Sequence, residues 1–479
     1  MQKRAISALI IALIIVAGSS MVYAGTISWE FYNDILVSNA DVSAHKKEAH
    51  IMRHPTDSNR LLAAFIDFAS TPERCRVATS SNAGTSWSVA SYLPLPSSTS
   101  RSNDPVIAVR STTSGTTWYV ACVAFTDGSY SIGDYSKIYY STSTDNGSTW
   151  SSTVVVREAY CSSSSNCPMV DKPWITVYGS NVYVCYAYMD NFIAWNNGNQ
   201  STIRIFVNSK EITSGTAWQA NDRVSDRSVQ GCNIAVNSNG VIYVVWARLA
   251  SDTQGKIELS RSFDNGNTFE APRKVADFTR TPTKAGTCTD AFGCVIGVIA
   301  NAQRSGFRAP SFPYIAIDSS NNIHIVYQDY SNSTLTDIKY TRSNNCKTQT
   351  QTCEFTAPVR ILNDNNVSKD QFMPSIVFSG KTNTIHVTAL DRRDSTDNTG
   401  WRPTHYHCHL LDVNTCTQES HWSTSSIGAQ SANLDGSSFI GDYYSVTSNS
   451  SREAYAVWVD TKTVNADWKY RIWFDRTTT

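Results

Sequence analysis

The sequence predicts an all-β fold, a seven-bladed β-propeller in which four-stranded sheets form a ring. One observation is a strand–turn–strand sequence pattern that recurs seven times along the chain. Another is that each copy alternates polar with β-branched or aromatic residues, and no stretch has the period of an amphipathic helix. The copies are Ala49–Asp67, Asp104–Asp127, Asp171–Asp190, Cys232–Arg248, Pro313–Asp329, Gln371–Asp391 and Asp442–Asp460.

A second motif follows several copies and predicts a tight turn. Residues 143–150 read STDNGSTW and residues 262–269 read SFDNGNTF, while a third copy at 80–87 has asparagine in place of the aspartate. Asp-Asn-Gly supplies a turn with positive φ at glycine, and the Ser and Asp side chains bond to nearby backbone groups. We therefore expect hairpins here, with Asp145 and Asp264 as structural residues.

The two ends of the sequence predict how the ring closes. The last copy is followed by a single further strand, Tyr470–Phe474, so its blade lacks an outer strand. The segment Ile27–Leu36 precedes the first copy. Because an unpaired sheet edge invites aggregation, we expect this N-terminal strand to complete the last blade. Residues 25–479 are thus expected to form one propeller domain.

Residues 1–24 are predicted to be a signal peptide. Lys3 and Arg4 form a positive start, Ala5–Val16 is apolar, and Ala24 precedes the expected cleavage site. The apolar run is too short for a membrane span, and no other stretch of spanning length follows. A secreted, extracellular protein is expected, with the cell surface or the periplasm as alternatives.

Charge and composition exclude two classes of partner. The 40 basic and 40 acidic residues cancel, so no cationic excess attracts nucleic acid or an anionic membrane. The expected partners are glycans or extracellular proteins. No cofactor is required, although converging carboxylates can bind Ca²⁺. The Asn-x-Ser/Thr sequons, which matter only in a host that glycosylates its exports, begin at Asn146, Asn199, Asn332, Asn366 and Asn449.

Twelve cysteines agree with export, because disulfides persist in oxidising compartments. Four pairs close short polar loops: Cys161/Cys167, Cys288/Cys294, Cys346/Cys353 and Cys408/Cys416. The remaining cysteines are expected to form disulfides between neighbouring blades, Cys185 with Cys232 and Cys75 with Cys122. Metal binding is the alternative, with no CxxC to favour it. The histidines beside Cys408 (His405, His407 and His409) are interpreted as a solvated strand rather than a zinc site.

The repeats and turns resemble the sialidase (neuraminidase) superfamily and the wider set of Asp-box (BNR) propellers. The likeness covers nearly the whole mature chain in architecture. It implies six blades as the alternative to seven, since sialidase catalytic propellers usually have six. In that family the Asp-boxes lie at the periphery, so they indicate a fold and not a reaction. Sialidases use a tyrosine nucleophile, because a carboxylate would be repelled by the substrate's own carboxylate.

This resemblance implies a set of catalytic and binding residues on one face of the ring. Residues 441–445 (GDYYS) resemble the stretch that carries the family's tyrosine, so Tyr444 is expected as the nucleophile. Asp67 falls where the family has its acid/base. No glutamate that would activate the tyrosine is identified. The expected substrate-binding residues are Arg248, Arg308, Arg392 and Asp442.

The same face is expected to gather further polar residues, where inner strands begin and second strands end. Converging carboxylates raise one another's pKa, which can produce a general acid. The alternative is that each aspartate only bonds its own loop backbone, a role that a repeat copies. The polar residues are Asp104, Asp171, Lys172, Asn233, Asp370, Asp127, Asp190, Asp329, Asp391, Arg393 and Asp460, with Trp174, Tyr188, Phe312, Phe372 and Tyr443 interleaved.

Two functions remain open from the sequence. One is a secreted sialidase-like exo-glycosidase that acts on sialylated or other acidic glycans. The other is a non-catalytic propeller that binds glycans or proteins or builds a surface layer. The non-catalytic function is favoured by the poor match of residues 52–55 (MRHP) to the first arginine motif of the sialidase family. A polysaccharide lyase, which would need a His or Tyr base beside an arginine, is a third alternative.

Overall fold

The computed structural model describes most of the chain from residue 30 onward. Residues 1–24, Asp127, Cys288 and Cys294, on which predictions were made, lie outside the described residues. The described residues are 30–31, 34–38, 44–126, 130–196, 202–212, 218, 222–226, 228–251, 253–281, 298–301, 304–330, 335–361, 369–380, 382–393, 401–410, 416, 423–426, 440–448, 454–460 and 471–478.

Antiparallel sheets account for nearly all of the described structure. Two short strands come first, β1 (Glu30–Phe31) and β2 (Ile35–Leu36). Blade 1 contains β3 (Lys46–Arg53), β4 (Leu61–Asp67), β5 (Arg74–Ser80) and β6 (Ser88–Tyr92). Blade 2 contains β7 (Arg101–Thr112), β8 (Gly115–Phe125), β9 (Tyr135–Ser143) and β10 (Val154–Tyr160). Blade 3 contains β11 (Met169–Tyr178), β12 (Asn181–Met189), β13 (Ile203–Glu211) and β14 (Asp222–Arg223), with helix α1 (Phe192–Asn196) after β12.

The second half of the chain repeats this arrangement. Blade 4 contains β15 (Val229–Val236), β16 (Ile242–Leu249), β17 (Gln254–Ser262) and β18 (Arg273–Thr279). A separate hairpin follows, β19 (Val298–Asn301) and β20 (Arg304–Arg308). Blade 5 contains β21 (Tyr314–Ile317), β22 (Ile323–Asp329), β23 (Asp337–Ser343) and β24 (Val359–Arg360). Blade 6 contains β25 (Gln371–Ser379), β26 (Thr384–Asp391), β27 (Arg402–His409) and β28 (Ser423–Ser426). Blade 7 contains β29 (Ser445–Ser448), β30 (Ala454–Asp460) and β31 (Arg471–Thr478).

The seven blades form a closed ring. The first strand of every blade contacts the first strand of the next blade, and β29 of blade 7 contacts β3 of blade 1. Each sheet is therefore covered on both faces by its neighbours, which explains why strands such as β4 and β30 are buried at every position. The prediction of seven blades is confirmed, and the six-bladed alternative is wrong. No described helix is long and apolar enough to cross a membrane.

The last blade is completed by the strands that precede the first. Both β1 and β2 pair antiparallel with β31, with Ile35 opposite Phe474. The backbone N–H of Val37 also donates to the carbonyl of Ile472 at 2.9 Å. The predicted closure of the ring by the N-terminal strand is confirmed.

The Ser-x-Asp-x-Gly segments form tight turns between the third and fourth strands of blades 2 and 4. In blade 2 the Ser143 hydroxyl accepts from the Gly147 N–H at 2.9 Å and donates to Asp145 at 2.7 Å. The other end of the turn is held by the Thr149 N–H, which donates to Asp145 at 2.9 Å. The corresponding bonds in blade 4 are within 0.1 Å of these lengths. Asp145 is thus occupied by its own turn.

The turn glycines lie close to the preceding blade. Gly147 has φ +85°, and a β-carbon there would lie 2.8 Å from Thr79 and 2.9 Å from Leu62, both in blade 1. Gly84, in the equivalent turn of blade 1, would meet the ring of Phe474 in blade 7. Glycine is therefore required both by the backbone conformation and by the spacing between blades.

Five disulfides are present among the described residues. Cys75–Cys122 joins β5 of blade 1 to β8 of blade 2, and Cys185–Cys232 joins β12 of blade 3 to β15 of blade 4. The others close short loops: Cys161–Cys167, Cys346–Cys353 and Cys408–Cys416. Two of the bonds therefore link neighbouring blades, and three stabilise local turns.

Candidate functional site at the ring axis

The inner strands of blades 1, 2 and 3 each carry a β-bulge at the same place. The pairing register shifts between Lys47 and His50, between Asn103 and Val106, and between Asp171 and Trp174. The first bulged residue has a left-handed backbone in all three, with φ of 54° at Glu48, 55° at Asp104 and 50° at Lys172. A bulge redirects a side chain away from the regular alternation of the strand. Three charged side chains are thereby brought to equivalent positions around the ring.

These side chains meet a fourth from the opposite part of the ring. The ammonium of Lys172 lies 3.1 Å from Asp104 in blade 2 and forms a close ion pair with Asp442 at the start of blade 7. Blades 3 and 7 are not neighbours in the ring, so this contact crosses its centre. The backbone N–H of Asp442 donates to Glu48 at 3.3 Å. We call Glu48, Asp104, Asp171, Lys172 and Asp442 the axial cluster; each is at most 8% exposed.

The axial cluster contains more carboxyl groups than cations. Burial, and then the neighbouring Asp104, raise the pKa of Glu48 well above its ordinary value. Burial likewise raises the pKa of Asp171 to about 7. Burial opposes the charge on Lys172, but Asp104 and Asp442 raise the pKa of its ammonium well above the ordinary value. A carboxyl group whose protonated form is favoured by burial therefore lies beside Asp104, which Lys172 contacts at 3.1 Å.

Aromatic rings cover the axial cluster. Trp174 packs edge-on against His50, Tyr314 and Tyr443, with ring centroids 5.2, 5.4 and 5.8 Å apart. The Tyr443 hydroxyl donates to the carbonyl of Pro105 at 3.2 Å, and burial raises its pKa well above the ordinary value. The phenol beside the carboxyl groups is therefore that of Tyr443, next to the predicted Tyr444.

The two predicted catalytic residues lie in other surroundings. Asp67, at the end of β4, is held by Lys46 at 2.6 Å and by Arg76 at 2.8 Å. Tyr444 is buried in an apolar cluster that also contains Phe372 and Trp401. Their roles as acid/base and nucleophile remain predictions.

The predicted substrate-binding residues are spread over several blades. Arg248 lies 3.4 Å from Asp226 and 3.3 Å from Glu258, whereas the buried Arg392 lies 3.2 Å from Asp370. Arg308 is the last residue of β20, and its side chain is outside the description. Arg248 and Arg392 thus hold different carboxylates. Of the predicted substrate-binding residues whose side chains are described, only Asp442 joins the axial cluster.

The interpretation of the histidines in β27 as a solvated strand is wrong. His405 and His407 are buried, and their rings stack with centroids 5.4 Å apart. Across the sheet His386 lies 2.9 Å from His405, nitrogen to nitrogen. Burial lowers the pKa of His386 to about 3 and of His407 to about 4, so this row is neutral. Within the described residues, no group of three or more His, Cys, Asp or Glu side chains has an arrangement that could hold a metal ion.

Glu48 is the member of the axial cluster that sequence reasoning missed. The predicted first repeat copy begins at Ala49, one residue after Glu48. Two later copies contain an acidic or basic residue followed by proline, Asp104-Pro105 and Lys172-Pro173. Aligning Glu48-Ala49 with these two dipeptides would have placed the glutamate at the bulge, so the signal was in the sequence.

The fold and the axial cluster together define an all-β propeller with an acidic centre. Comparison with known proteins shows only distant structural similarity. No family model and no curated protein matches this sequence. Among solved structures, an α-L-arabinofuranosidase from Fusarium graminearum matches with a TM-score of 0.48 and 11% identity over 93% of this chain and 97% of its own. An α-L-arabinanase from Penicillium chrysogenum matches with 0.45 and 11% over 93% and 98%. A Hadza microbial sialidase matches with 0.44 and 12% over 84% and 72%. Because these TM-scores are below 0.5 and the identities are near 11%, an activity has to be inferred from this chain's own residues.

Proposed function

We propose that this protein is an exported glycoside hydrolase whose chemistry takes place at the axial cluster. The observation that carries the proposal is the buried Glu48 beside Asp104, which in turn contacts Lys172 at 3.1 Å. Glycoside hydrolysis uses two carboxyl groups with different roles, because one of them must donate a proton to the leaving oxygen. The second must remain a carboxylate, to attack the anomeric carbon or to activate water. In this structure Glu48 and Asp104 are hydrogen-bonded to each other, so a substrate has to separate them before they act.

The cluster assigns a role to each of its members. Glu48 donates the proton, since burial raises its pKa well above the ordinary value and so favours the protonated form. Asp104 is the carboxylate, and Lys172 is the positioning residue that holds it. The disulfides that join blades 1 to 2 and 3 to 4 agree with export to an oxidising compartment.

A more specific form of the proposal is an exo-sialidase for sialylated or other acidic glycans. In that form Tyr444 is the nucleophile and Asp67 the acid/base, while Arg248, Arg308, Arg392 and Asp442 bind the substrate. Tyr444→Phe separates the two forms. It abolishes hydrolysis of a sialoside in the specific form, and it leaves hydrolysis at the axial cluster intact in the general one.

The test is hydrolysis of nitrophenyl glycosides by the chain from Gly25 onward, with an α-L-arabinofuranoside and a sialoside among the substrates. Glu48→Gln is expected to lower kcat by about 10²–10⁴ while the protein stays folded, because the amide cannot donate the proton. Glu73→Gln is the matched control, since Glu73 pairs with Arg101 at 2.8 Å away from the cluster. Full activity of Glu48→Gln, or no cleavage of any substrate by the unaltered protein, would contradict the proposal.

A non-catalytic glycan- or protein-binding propeller is the second candidate. The observation that favours it is the burial of the cluster, since the described cavity that Lys172 lines measures only about 20 Å³. In that case the cluster is a structural lock at the ring axis. Retention of a glycan on an array without any cleavage of it would support this second function.

A further inference from the structure

An arginine of blade 2 lies against blade 3 without a carboxylate partner among the described residues. Arg157 is in the outer strand β10, and its guanidinium carbon lies 5.2 Å from the centre of the Tyr188 ring in β12. The Nε atom of Arg157 is buried and has no hydrogen-bond partner in that part of the chain. The adjacent carboxylate of Glu158 pairs instead with Lys137, at 2.6 Å. Within the described structure, this partly exposed guanidinium is therefore in contact with an aromatic ring and not with an anion.

A second guanidinium flanks the same aromatic ring. Tyr188 and Arg204 lie directly opposite each other in the antiparallel pairing of β12 with β13. Side chains at such positions share one face of the sheet, with β-carbons about 5 Å apart. Arg204 forms a close ion pair with Asp190 through one nitrogen, whereas its Nε is buried and has no hydrogen-bond partner among the described residues. Two cations and one carboxylate therefore lie around Tyr188.

Arg273 in blade 4 shows how a comparable arginine is satisfied elsewhere in this protein. Its Nε is also buried and has no hydrogen-bond partner among the residues that the structure describes. Its two other nitrogens, however, donate to Glu270 at 3.5 Å and to the carbonyl of Thr352 at 2.8 Å. Folded proteins rarely leave a partly buried charge without such partners. The guanidinium of Arg157 is therefore available to an anion from solution.

We propose that Arg157 and Arg204 bind an oxyanion, a sulfate or carboxylate group, at the junction of blades 2 and 3. The planar array of N–H donors on a guanidinium matches two oxygens of such a group at once. Two guanidinium groups and the carboxylate of Asp190 leave a net positive charge around Tyr188, which favours an anion. The side chain of Arg204 is 14% exposed and that of Asp190 is 30% exposed, while Arg157 and Tyr188 are also partly exposed, so the site is open to solvent.

This anion site is separate from the axial cluster and does not depend on the proposed function. Arg157 lies in the outermost of the four strands of blade 2, whereas Asp104 of the axial cluster lies in the innermost one. An oxyanion reaches the site either as a free ion or as a substituent of a sugar, and the choice of titrated compounds distinguishes these two sources.

The first test measures the affinity of three anions for the protein from Gly25 onward. Inorganic sulfate, galactose 6-sulfate and galacturonate are titrated by calorimetry at low salt, with galactose as the uncharged control. We expect at least one of the anions to bind, and its affinity to fall as sodium chloride is added, because salt screens exposed charges. Tighter binding of a charged sugar than of free sulfate identifies a sugar substituent as the ligand, and tightest binding of sulfate identifies a free ion.

Two substitutions of Arg157 test the part assigned to it. Arg157→Gln removes the charge, and we expect it to weaken binding at least tenfold. Arg157→Lys keeps the charge but loses the planar array of donors, and we expect a smaller loss of affinity. Arg273→Gln is the matched control, since it also removes one arginine from the outer strand of a blade, and it should leave the affinity unchanged.

A further substitution concerns Asp190, which competes with the ligand for Arg204. Asp190→Asn removes the negative charge, and we expect the anion to bind severalfold more tightly. Weaker or unchanged binding by a folded Asp190→Asn protein would contradict the inference. So would no binding of any of the three anions, binding of galactose as tight as that of galactose 6-sulfate, or an affinity that Arg157→Gln and Arg157→Lys leave unchanged.

Discussion

At the scale of single residues, Lys172 organises the centre of the molecule. It is the one cation among four carboxyl groups, those of Asp104, Asp442, Asp171 and Glu48. A buried charge is tolerated only when it is paired. The ammonium therefore stabilises the carboxylates as much as they stabilise it, and its removal would leave buried charge uncompensated.

Replacing Lys172 by Met is expected to destabilise the protein by about 3 to 5 kcal/mol at neutral pH, the usual cost of breaking a buried ion pair. Burial raises the pKa of Asp171 and Lys172 lowers it, so without the lysine this carboxyl group takes up its proton at a higher pH than in the unaltered protein. The variant therefore recovers part of this stability as the pH falls and more of the cluster is protonated. Urea unfolding at pH 8 and pH 5 measures both effects. Lys137→Met is the control, because its partner Glu158 is about half exposed. An equal loss in the two variants would contradict the role given to Lys172.

Sequence reasoning located these residues only in part. Asp104, Asp171, Lys172 and Asp442 were predicted on one face, because each lies at the start of a repeat copy. Their mutual contact was not predictable, since the Lys172–Asp442 pair joins residues 270 apart in sequence across the ring. Nothing in a local pattern specifies which blade faces which across the centre.

At the scale of elements, the hairpin turns set the distance between blades. The turns of blades 2 and 4 have the same hydrogen bonds, and their glycines have φ of +85° and +84°. They differ in clearance, because a β-carbon at Gly266 would lie 3.4 Å from Ser209 while one at Gly147 would lie 2.8 Å from Thr79. These turns were predictable from sequence, since the Asp-Asn-Gly chemistry is local.

Gly147→Ala is therefore expected to cost more than Gly266→Ala. Both substitutions place alanine at a positive φ, at a cost of about 1 kcal/mol. Gly147→Ala also presses blade 2 against blade 1, which adds roughly 1 to 3 kcal/mol for overpacking. Chemical denaturation of the two variants gives the comparison. Equal losses would mean that the turn glycine serves only the backbone and does not space the blades.

The buried histidine row of β26 and β27 is expected to make the protein sensitive to acid. Burial lowers the pKa of His407 from 6.5 to about 4. A lowered pKa gives stability that is present above 6.5 and is lost as the pH falls toward 4. His407→Gln should remove roughly 3 kcal/mol of that loss, seen as a smaller drop in urea midpoint between pH 7 and pH 4. An unchanged drop in His407→Gln would refute the assignment.

At the scale of the whole molecule, covalent links join the blades in pairs. The Cys75–Cys122 bond encloses 47 residues and connects blades 1 and 2, whereas Cys161–Cys167 encloses 6 within one loop. The long link restricts the unfolded chain more than the short one. The blade number was predictable from the repeats, because blades 1 to 6 are each built from neighbouring sequence. The ring closure was predictable because the last repeat copy lacks an outer strand and the segment before the first copy can supply it.

Replacing both Cys75 and Cys122 by Ala is expected to lower the free energy of unfolding by about 4 kcal/mol, against about 2 kcal/mol for Cys161 and Cys167. The difference follows from loop length, since the entropy lost on closing a loop grows with the logarithm of its size. Guanidinium unfolding of the two double variants under non-reducing conditions measures it. A larger loss for the short loop would contradict the prediction.

The completion of blade 7 by β1 and β2 also constrains the order in which the molecule can be assembled. The segment around Ser38 bonds to Ile472, a residue 434 positions later in the chain. A ribosome releases the early strands long before their partner exists. While they wait, the growing protein is an open arc, and the two disulfide-linked blade pairs are units that can already be rigid. Closure of the ring therefore depends on pairing between segments 434 positions apart in sequence, which the folding of single blades cannot supply.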